Sequence, residues 1–455
     1  MNILTLFSEF STVLTKRTHE NLNVLLRGAI LASDVRTVTA CLRSAWPWVT
    51  RHFSSYENVL RRAVINEREM ARLMFRMILR LIPEDSVIEL IVDETLIRRY
   101  GPYVCGVSLH RDKILSTRSQ TRITPGNMWI VLAFAVKLPF MENVIALPVL
   151  SALYISSKRG KPTRIGLENK KHRTPSELAK LMILTVRRWV PDRRFRVIGD
   201  AWYASHELAD MLNEKSTRCP NGTLVSRFRW DARLHADPGN YSGFGRPRII
   251  GERISNPRQV ADDENANWEL HEITWYGGEL SRFMLLSGDG LWYRCSQGAT
   301  WVRWVIVRGV DGNHREEIFF TTDKTLSPSE IVECYVRRWS IEVTFEEARC
   351  HLGIETLRNR SCNAIHRSVP MLLSLYSLIA VWFASYGYGV GTYSNEAPWY
   401  KKKYVTFSDM LKTARFDVLS SSLFPLDDLS TCEFQVAPFP LNIIYNLPAE
   451  RCRTA

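Results

Sequence analysis

The chain has 455 residues, 45% hydrophobic and 11% aromatic, with a formal net charge of +13 and a pI near 9.4. That length supports two or three domains with at least one large core, and the composition excludes a disordered chain. The basic excess points to a polyanionic partner, nucleic acid first and an acidic membrane second.

Residues 1–82 read as helices. Their first apolar run carries Glu9 and no early basic cluster, so no signal peptide is expected. Within SDVRTVTACLRSAWPW, Ser33 or Asp34 is the expected N-cap, and Arg36, Thr37, Thr39 and Arg43 are expected on the outer side. The pattern fits a helix-turn-helix DNA reader and equally a small basic helical bundle.

The texture changes at Pro83. VIELIVDET (87–95), YVCGVSLH (103–110), MWIVLAFAV (128–136) and NVIALPVLSALYI (143–155) read as strands. PSELAKLMILTVRRWV (175–190) reads as an amphipathic helix, RFRVIGDAWYA (194–204) as a strand running into a turn, and GTLVSRFRW (222–230) as a further strand. Grouped strands followed by strands alternating with helices predict an α/β domain with a mixed sheet. A polar, Gly- and Pro-rich piece starts at 231. The period-2 patterns WELHEITWYG (268–277), SRFMLL (281–286) and WVRWVIVRG (301–309) then predict a β-rich insertion over 231–312. The core resumes over 313–390, and residues 391–455 carry no readable role.

EEIFFTTD (316–323) leads into one helix, opened by a capping box at Ser327-Pro328-Ser329-Glu330 and stopped at Gly353. The uncharged stretch at 368–390 approaches membrane-spanning length. Its serines, tyrosines and glycines predict a buried helix instead, and no membrane partner. The nine cysteines include no CxxC pair and read as reduced thiols of a cytoplasmic protein. Cys362 and His366 have zinc-like spacing without a second pair, so no zinc site is expected.

On the helix YVRRWSIEVTFEEARCHLGIE (335–355), Tyr335, Arg338, Glu342 and Arg349 fall within an arc of roughly 60°, with Glu346 beside them. Taken alone, Arg338–Glu342 and Glu346–Arg349 are ordinary surface pairs. Two aspartates shift that balance: Asp93 closes the strand IELIV, and Asp200 closes FRVI after Gly199. Each fits a turn former or a helix cap. The carboxyl end of a buried strand is also where α/β sheets place chemistry. Together Asp93, Asp200 and Glu342 can supply hard oxygen ligands to two Mg²⁺ ions, or Mn²⁺, roughly 3.5–4 Å apart. One ion would activate a water or hydroxyl, and the other would stabilise the departing oxygen of a phosphodiester. In a basic protein that chemistry points to DNA cleavage.

The series Tyr335-x2-Arg338-x3-Glu342-x6-Arg349 resembles the Y-x2-R-x3-E-x6-K signature of bacterial cut-and-paste DDE transposases of insertion sequences. Arginine stands where that signature has its final lysine, and the two grip phosphate differently. VDET and VIGDAWY are similar to the family's two aspartate motifs and RTVTACLRSA to its DNA-binding region, and the likeness extends to about residue 390. The resemblance implies an RNase H-like mixed sheet flanked by helices, with a β-rich insertion and an N-terminal all-helical DNA-binding domain. The core would be split between 83–230 and 313–390. Asp93, Asp200 and Glu342 would be both catalytic residues and metal ligands, with Glu94 supporting them or facing solvent. The implied activity is Mg²⁺-dependent cleavage at the terminal inverted repeats of an element and joining of the freed 3′-hydroxyls to target DNA. The implied setting is a homodimer in a synaptic complex, at the nucleoid in the bacterial cytoplasm.

Tyr335, Arg338, Arg349, Arg36 and Arg43 are expected on DNA. So are Lys158, Arg159, Lys161, Lys170 and Lys171 of the loop 156–173, which carries seven Lys/Arg against one Glu. Hairpin-forming relatives hold a flipped base on an aromatic of the insertion, which makes Trp292, Trp301 and Trp304 candidates; burial in a core is the competing reading for each. A nuclease of the same fold, or a DNA-binding derivative that no longer transposes, stays open. Asp93 and Glu342 as a glycosidase acid pair would better suit a neutral or acidic chain.

Overall fold

The computed structural model describes residues 1–117, 119–156, 172–239, 243, 245–310, 314–388 and 402–423. The N-terminal segment folds as α1 (Ile3–Phe7), α2 (Lys16–Leu31), α3 (Val38–Ser44), α4 (Phe53–Arg61) and α5 (Glu67–Leu79). Asn2, Thr15, Thr37, His52 and Asn66 each cap one of them by accepting an N–H of the first turn. The cap of α3 is therefore Thr37, not Ser33 or Asp34. These helices share their core with the rest of the chain: Phe75 packs against Phe134 and Trp189.

Next come β1 (Ile88–Arg98), β2 (Ser108–Arg111), β3 (Ile123–Val136), β4 (Ile145–Tyr154), α6 (Pro175–Trp189), β5 (Phe195–Gly199), α7 (His206–Met211) and β6 (Gly222–Arg227). Strand β3 is antiparallel to both β1 and β4, whereas β5 runs parallel to β1 and β6 parallel to β5. The resulting order β4-β3-β1-β5-β6 is that of an RNase H-like core, flanked here by helices. Near-continuous apolar runs such as Ile130–Val136 match strands buried by that helical cover.

The segment 231–312 contributes β7 (Leu234–His235), β8 (Arg253–Ile254), α8 (Pro257–Ala261), β9 (Glu269–Thr274), β10 (Leu280–Arg294) and β11 (Gly298–Gly309). The next strand, β12 (Glu317–Thr321), pairs with both β6 and β11, so the inserted strands prolong the core sheet, to twelve strands among the described residues. Trp304 of β11 lies directly opposite Gly288 of β10, where a Cβ would come within 2.6 Å of the ring, so the close fit requires glycine. Trp304 is 3% exposed, and Trp292, 8% exposed, packs among His206, Phe228 and Phe320. Both are core residues with no ring face free for a base. Trp301 is half-buried beneath Arg303 and Lys324.

The remaining helices are α9 (Pro328–Arg337), α10 (Trp339–Leu352), α11 (Cys362–Trp382) and α12 (Phe407–Leu423). The expected capping box at Ser327 and the left-handed stop at Gly353 (φ 55°) are both present. Between them the single expected helix tightens at Arg338. There Arg338 N–H bonds to Tyr335 O and Ile341 N–H to Arg338 O, in three-residue steps that separate α9 from α10. The helix starting at Cys362 is long and apolar enough to cross a membrane, but 72% of its most apolar window is buried inside the protein. Helix α12 buries Phe407, Met410, Leu411, Ala414 and Val418. It is tied to the N-terminal helices where Asp417 accepts the Ile3 N–H and Arg415 donates to the Ile30 and Ala32 carbonyls.

Cys105 and Cys362 form a disulfide across 257 residues, contrary to the expectation of reduced thiols throughout. Spacing along the chain carries no sign of so distant a pair, and the bond removes Cys362 from any zinc site with His366.

Glu347 of α10 accepts a hydrogen bond from Tyr376 Oη at 2.7 Å, and burial pushes its carboxyl up to about 7. Its folded value lies above the unfolded one, so its contribution is intact below pH 4.5 and lost as pH rises through 7. Glu347→Gln should therefore stabilise the protein at pH 8 by up to about 3 kcal/mol and leave it unchanged at pH 4. Urea unfolding at the two pH values measures this.

Candidate active site

The site starts from the pairing of β1 with β5. Their parallel register ends at Val92↔Gly199, which sets Asp93 and Asp200 side by side as the next residue of each strand. Asp93 does not close its strand as expected: β1 continues to Arg98 against β3, and only β5 stops at this point. Gly199 is required there, because a Cβ would lie 2.8 Å from Tyr203 Cβ. Asp200 then caps the short turn Ala201–Tyr203, with Oδ1 accepting the Ala201 N–H at 2.6 Å.

Helices α9 and α10 bring the third acid. Arg338 Nη1 lies 2.6 Å from Asp93 Oδ2 and 2.8 Å from Glu342 Oε1, so two carboxylates converge on one nitrogen. Asp93 is 3% exposed, and burial together with neighbouring Glu94 pushes its carboxyl up to about 7, with Arg338 and Lys113 opposing the rise. Burial works against the Arg338 charge, but Asp93, Tyr335, Glu342 and Asp200 together hold the guanidinium above its ordinary range. Asp200 is joined to the group through Tyr335, whose hydroxyl accepts from Arg227 Nε at 2.9 Å and donates to Asp200 Oδ1 at 3.5 Å. The Tyr335 ring stacks on Phe319 and lies under both Arg227 and Arg338.

Several expected DNA contacts have other roles. Tyr335 is fully buried and holds Asp200 in place. Arg338 is buried between two acids rather than presented to a DNA strand. Arg349 donates to Thr95 Oγ1 and pairs with Glu355, beside β1. Arg36, expected on an outer face, is 3% exposed and donates to the carbonyls of Ala29, Asp34 and His351, so it fastens the N-terminal helices to α10. Because α3 starts later than expected, Arg36 falls in the linker before it and turns inward. Arg43 is exposed on α3. Lys158, Arg159, Lys161, Lys170 and Lys171 lie outside the described residues.

Other members of the site carry no motif. Glu94 pairs with Lys113 Nζ at 2.5 Å and accepts from Tyr203 Oη at 3.4 Å, which places it beside the acids as a support. Lys113 sits in the turn after β2, paired with Glu94, with its side chain 63% exposed and its charge near Asp93 and Asp200. Trp202 and Trp339 flank Asp200 and Arg338, 55% and 48% exposed.

In chemistry the donor set fits a hard divalent ion, since only carboxylates meet here and Asp93 and Glu342 already gather around a full positive charge. Their arrangement is not a finished ligand set. Among the described residues no three His, Cys, Asp or Glu side chains are grouped to hold a metal. Asp200 faces Ala201 and Tyr335, and Arg338 occupies the point shared by the other two.

Acids on two adjacent strands of an RNase H-like sheet, Asp93 within β1 and Asp200 just past β5, with Glu342 from a later helix, make a donor set suited to metal-assisted phosphodiester chemistry. Residues 9–282 match the family described as DDE superfamily endonuclease, and the chain belongs to that family. The match covers Asp93 and Asp200 and ends before Glu342. Endonucleases of this superfamily generally use divalent metal ions. No curated protein matches the sequence. Among solved structures, the chain is similar to a piggyBac transposase in a synaptic complex with hairpin DNA, seen by cryo-EM. That likeness is at 11% identity with a TM-score of 0.43, over 98% of this chain and 85% of that one.

Proposed function

We propose that this protein is a DNA transposase of the insertion-sequence type, which cleaves the ends of its element and joins them to target DNA. The observation that carries the reading is the meeting of Asp93 and Glu342 on one Arg338 nitrogen, with Asp200 at the end of the neighbouring strand, in a chain of the DDE endonuclease family. Asp93, Asp200 and Glu342 would hold two Mg²⁺ ions. Such ions, when bound, supply an activated water or hydroxyl and stabilise the leaving oxygen. On this reading Tyr335 fixes Asp200, Arg338 holds Asp93 and Glu342 together, and Lys113 adds positive charge beside the acids. Partners on this reading are the terminal inverted repeats and the target, held by a homodimer.

The test is incubation of the purified protein with its own element's ends, a target plasmid and Mg²⁺, followed by mapping of products. Cleavage at the ends with joining supports a transposase. Cleavage without joining returns the protein to a nuclease, and binding without cleavage to a DNA-binding derivative.

The basic loop enters as a general grip on DNA. Replacing Lys158, Arg159, Lys170 and Lys171 by alanine should weaken binding to every sequence and lower the salt slope by about 3–4. An unchanged slope in fluorescence anisotropy would leave the loop as plain solvated surface.

A further inference from the structure

The carboxyl end of β1 carries a surface that the chemistry above does not use. Past Arg98 the chain loops out through Arg99-Tyr100-Gly101-Pro102-Tyr103 to Cys105, alongside Arg358-Asn359-Arg360 before α11. The two segments are fastened at three points. These are the Cys105–Cys362 disulfide, the Cys105 N–H on Arg360 O at 3.0 Å, and the Arg99 guanidinium on Asn359 O. So held, they turn Tyr100 and Tyr103 outward, 70% and 68% exposed, with Arg358 and Arg360 exposed beside them.

The charges here are unbalanced. The nearby acids are engaged within the protein: Asp112 pairs with Arg98 at 2.7 Å, and Glu355 lies 3.4 Å from both Arg98 and Arg349. Neither Arg358 nor Arg360 forms an ion pair with a described residue. Arg99 is 6% exposed and donates to a neutral carbonyl, and burial and the charge of Arg358 push it down to about 10. Like charges gathered without a counter-charge, around two outward aromatic rings, complement a polyanion that also offers flat faces.

We infer that this clipped pair of loops is a second DNA-contact surface, with Arg358 and Arg360 on backbone phosphates and Tyr100 and Tyr103 against exposed bases. It rests on the DNA reading above and adds a place where the duplex is held away from the acids, at the far end of β1. The disulfide and the Arg99 contact fix the shape of this surface.

The test is binding of two double variants, Arg358→Ala/Arg360→Ala and Tyr100→Ala/Tyr103→Ala, to element-end duplexes carrying a single-stranded flank, across a salt series. The arginine pair should lose about ten-fold in affinity near 0.1 M salt and about 2 from the salt slope. The tyrosine pair should lose about five-fold with the slope unchanged. Thermal unfolding of both variants checks that the fold is intact. Wild-type affinity and slope in both variants, beside a wild-type protein that binds, would overturn this inference alone. Failure of the wild type to bind any DNA would overturn the functional reading and this inference together. Unchanged DNA binding with altered sedimentation would show that the surface meets a second copy of the chain, and would also overturn it.

Discussion

Glu342→Gln is expected to slow strand cleavage by about three orders of magnitude, ~4 kcal/mol of transition-state stabilisation, with affinity for element ends within about two-fold of wild type. Glu342 is one of the two carboxylates on Arg338 Nη1, and its side chain is 36% exposed. Glutamine keeps the volume but removes the charge that a hard cation requires, while on the proposed function DNA affinity rests on the cationic residues. Glu346, one turn further along α10, is exposed and makes no ion pair with a described residue. Glu346→Gln should therefore cost a few-fold at most. Single-turnover cleavage and gel-shift assays on the two variants separate a catalytic wall from a solvated helix face. Equal, near-wild-type cleavage by both would return α10 to the second description.

Arg338→Ala should destabilise the protein by about 3 kcal/mol at pH 8, because it leaves a buried carboxylate without its counter-charge. The loss should shrink toward pH 5. Burial already raises Asp93 from 3.8 to about 7 in the presence of Arg338, which opposes the rise, so removing the guanidinium moves it higher still. A carboxyl raised in the folded state contributes stability that is present at low pH and lost as pH climbs through the folded value. At pH 5 the variant's Asp93 carries a proton and needs no partner. Arg338→Lys should recover part of the loss, since both acids contact the same Nη1 atom and a point charge can serve both. Urea unfolding at the two pH values measures it, and a pH-independent loss would contradict the coupling.

The parts of the site that follow chain periodicity were legible beforehand. The apolar runs IELIV and FRVI pointed to Asp93 and Asp200, although β1 runs on past Asp93, and the helical spacing from Tyr335 to Glu342 put those side chains on one face. The direction in which charged side chains turn was not legible. Arg36 and Arg338 read as outward cations, yet both are buried on partners hundreds of residues away. Lys113 sits in an unremarked turn and joins the acids only through the folding of β2 against β3. Trp292 and Trp304 show the same limit from the apolar side: a period-2 strand rich in tryptophan is equally consistent with a binding face and with a core. The continuity of β12 with β6 and β11 decides for the core. The Cys105–Cys362 bond depends on the same long-range closure.

Asp200 offers the most direct measurement of the central claim, because its carboxylate is the one held back by Ala201 and Tyr335. If Asp93, Asp200 and Glu342 act together on metal ions, Asp200→Cys should lose about three orders of magnitude of cleavage with Mg²⁺, since a thiolate is a poor ligand for so hard an ion. Replacing Mg²⁺ by the softer Mn²⁺ should restore a measurable part of that activity. Wild-type cleavage by Asp200→Cys with Mg²⁺ would contradict the account.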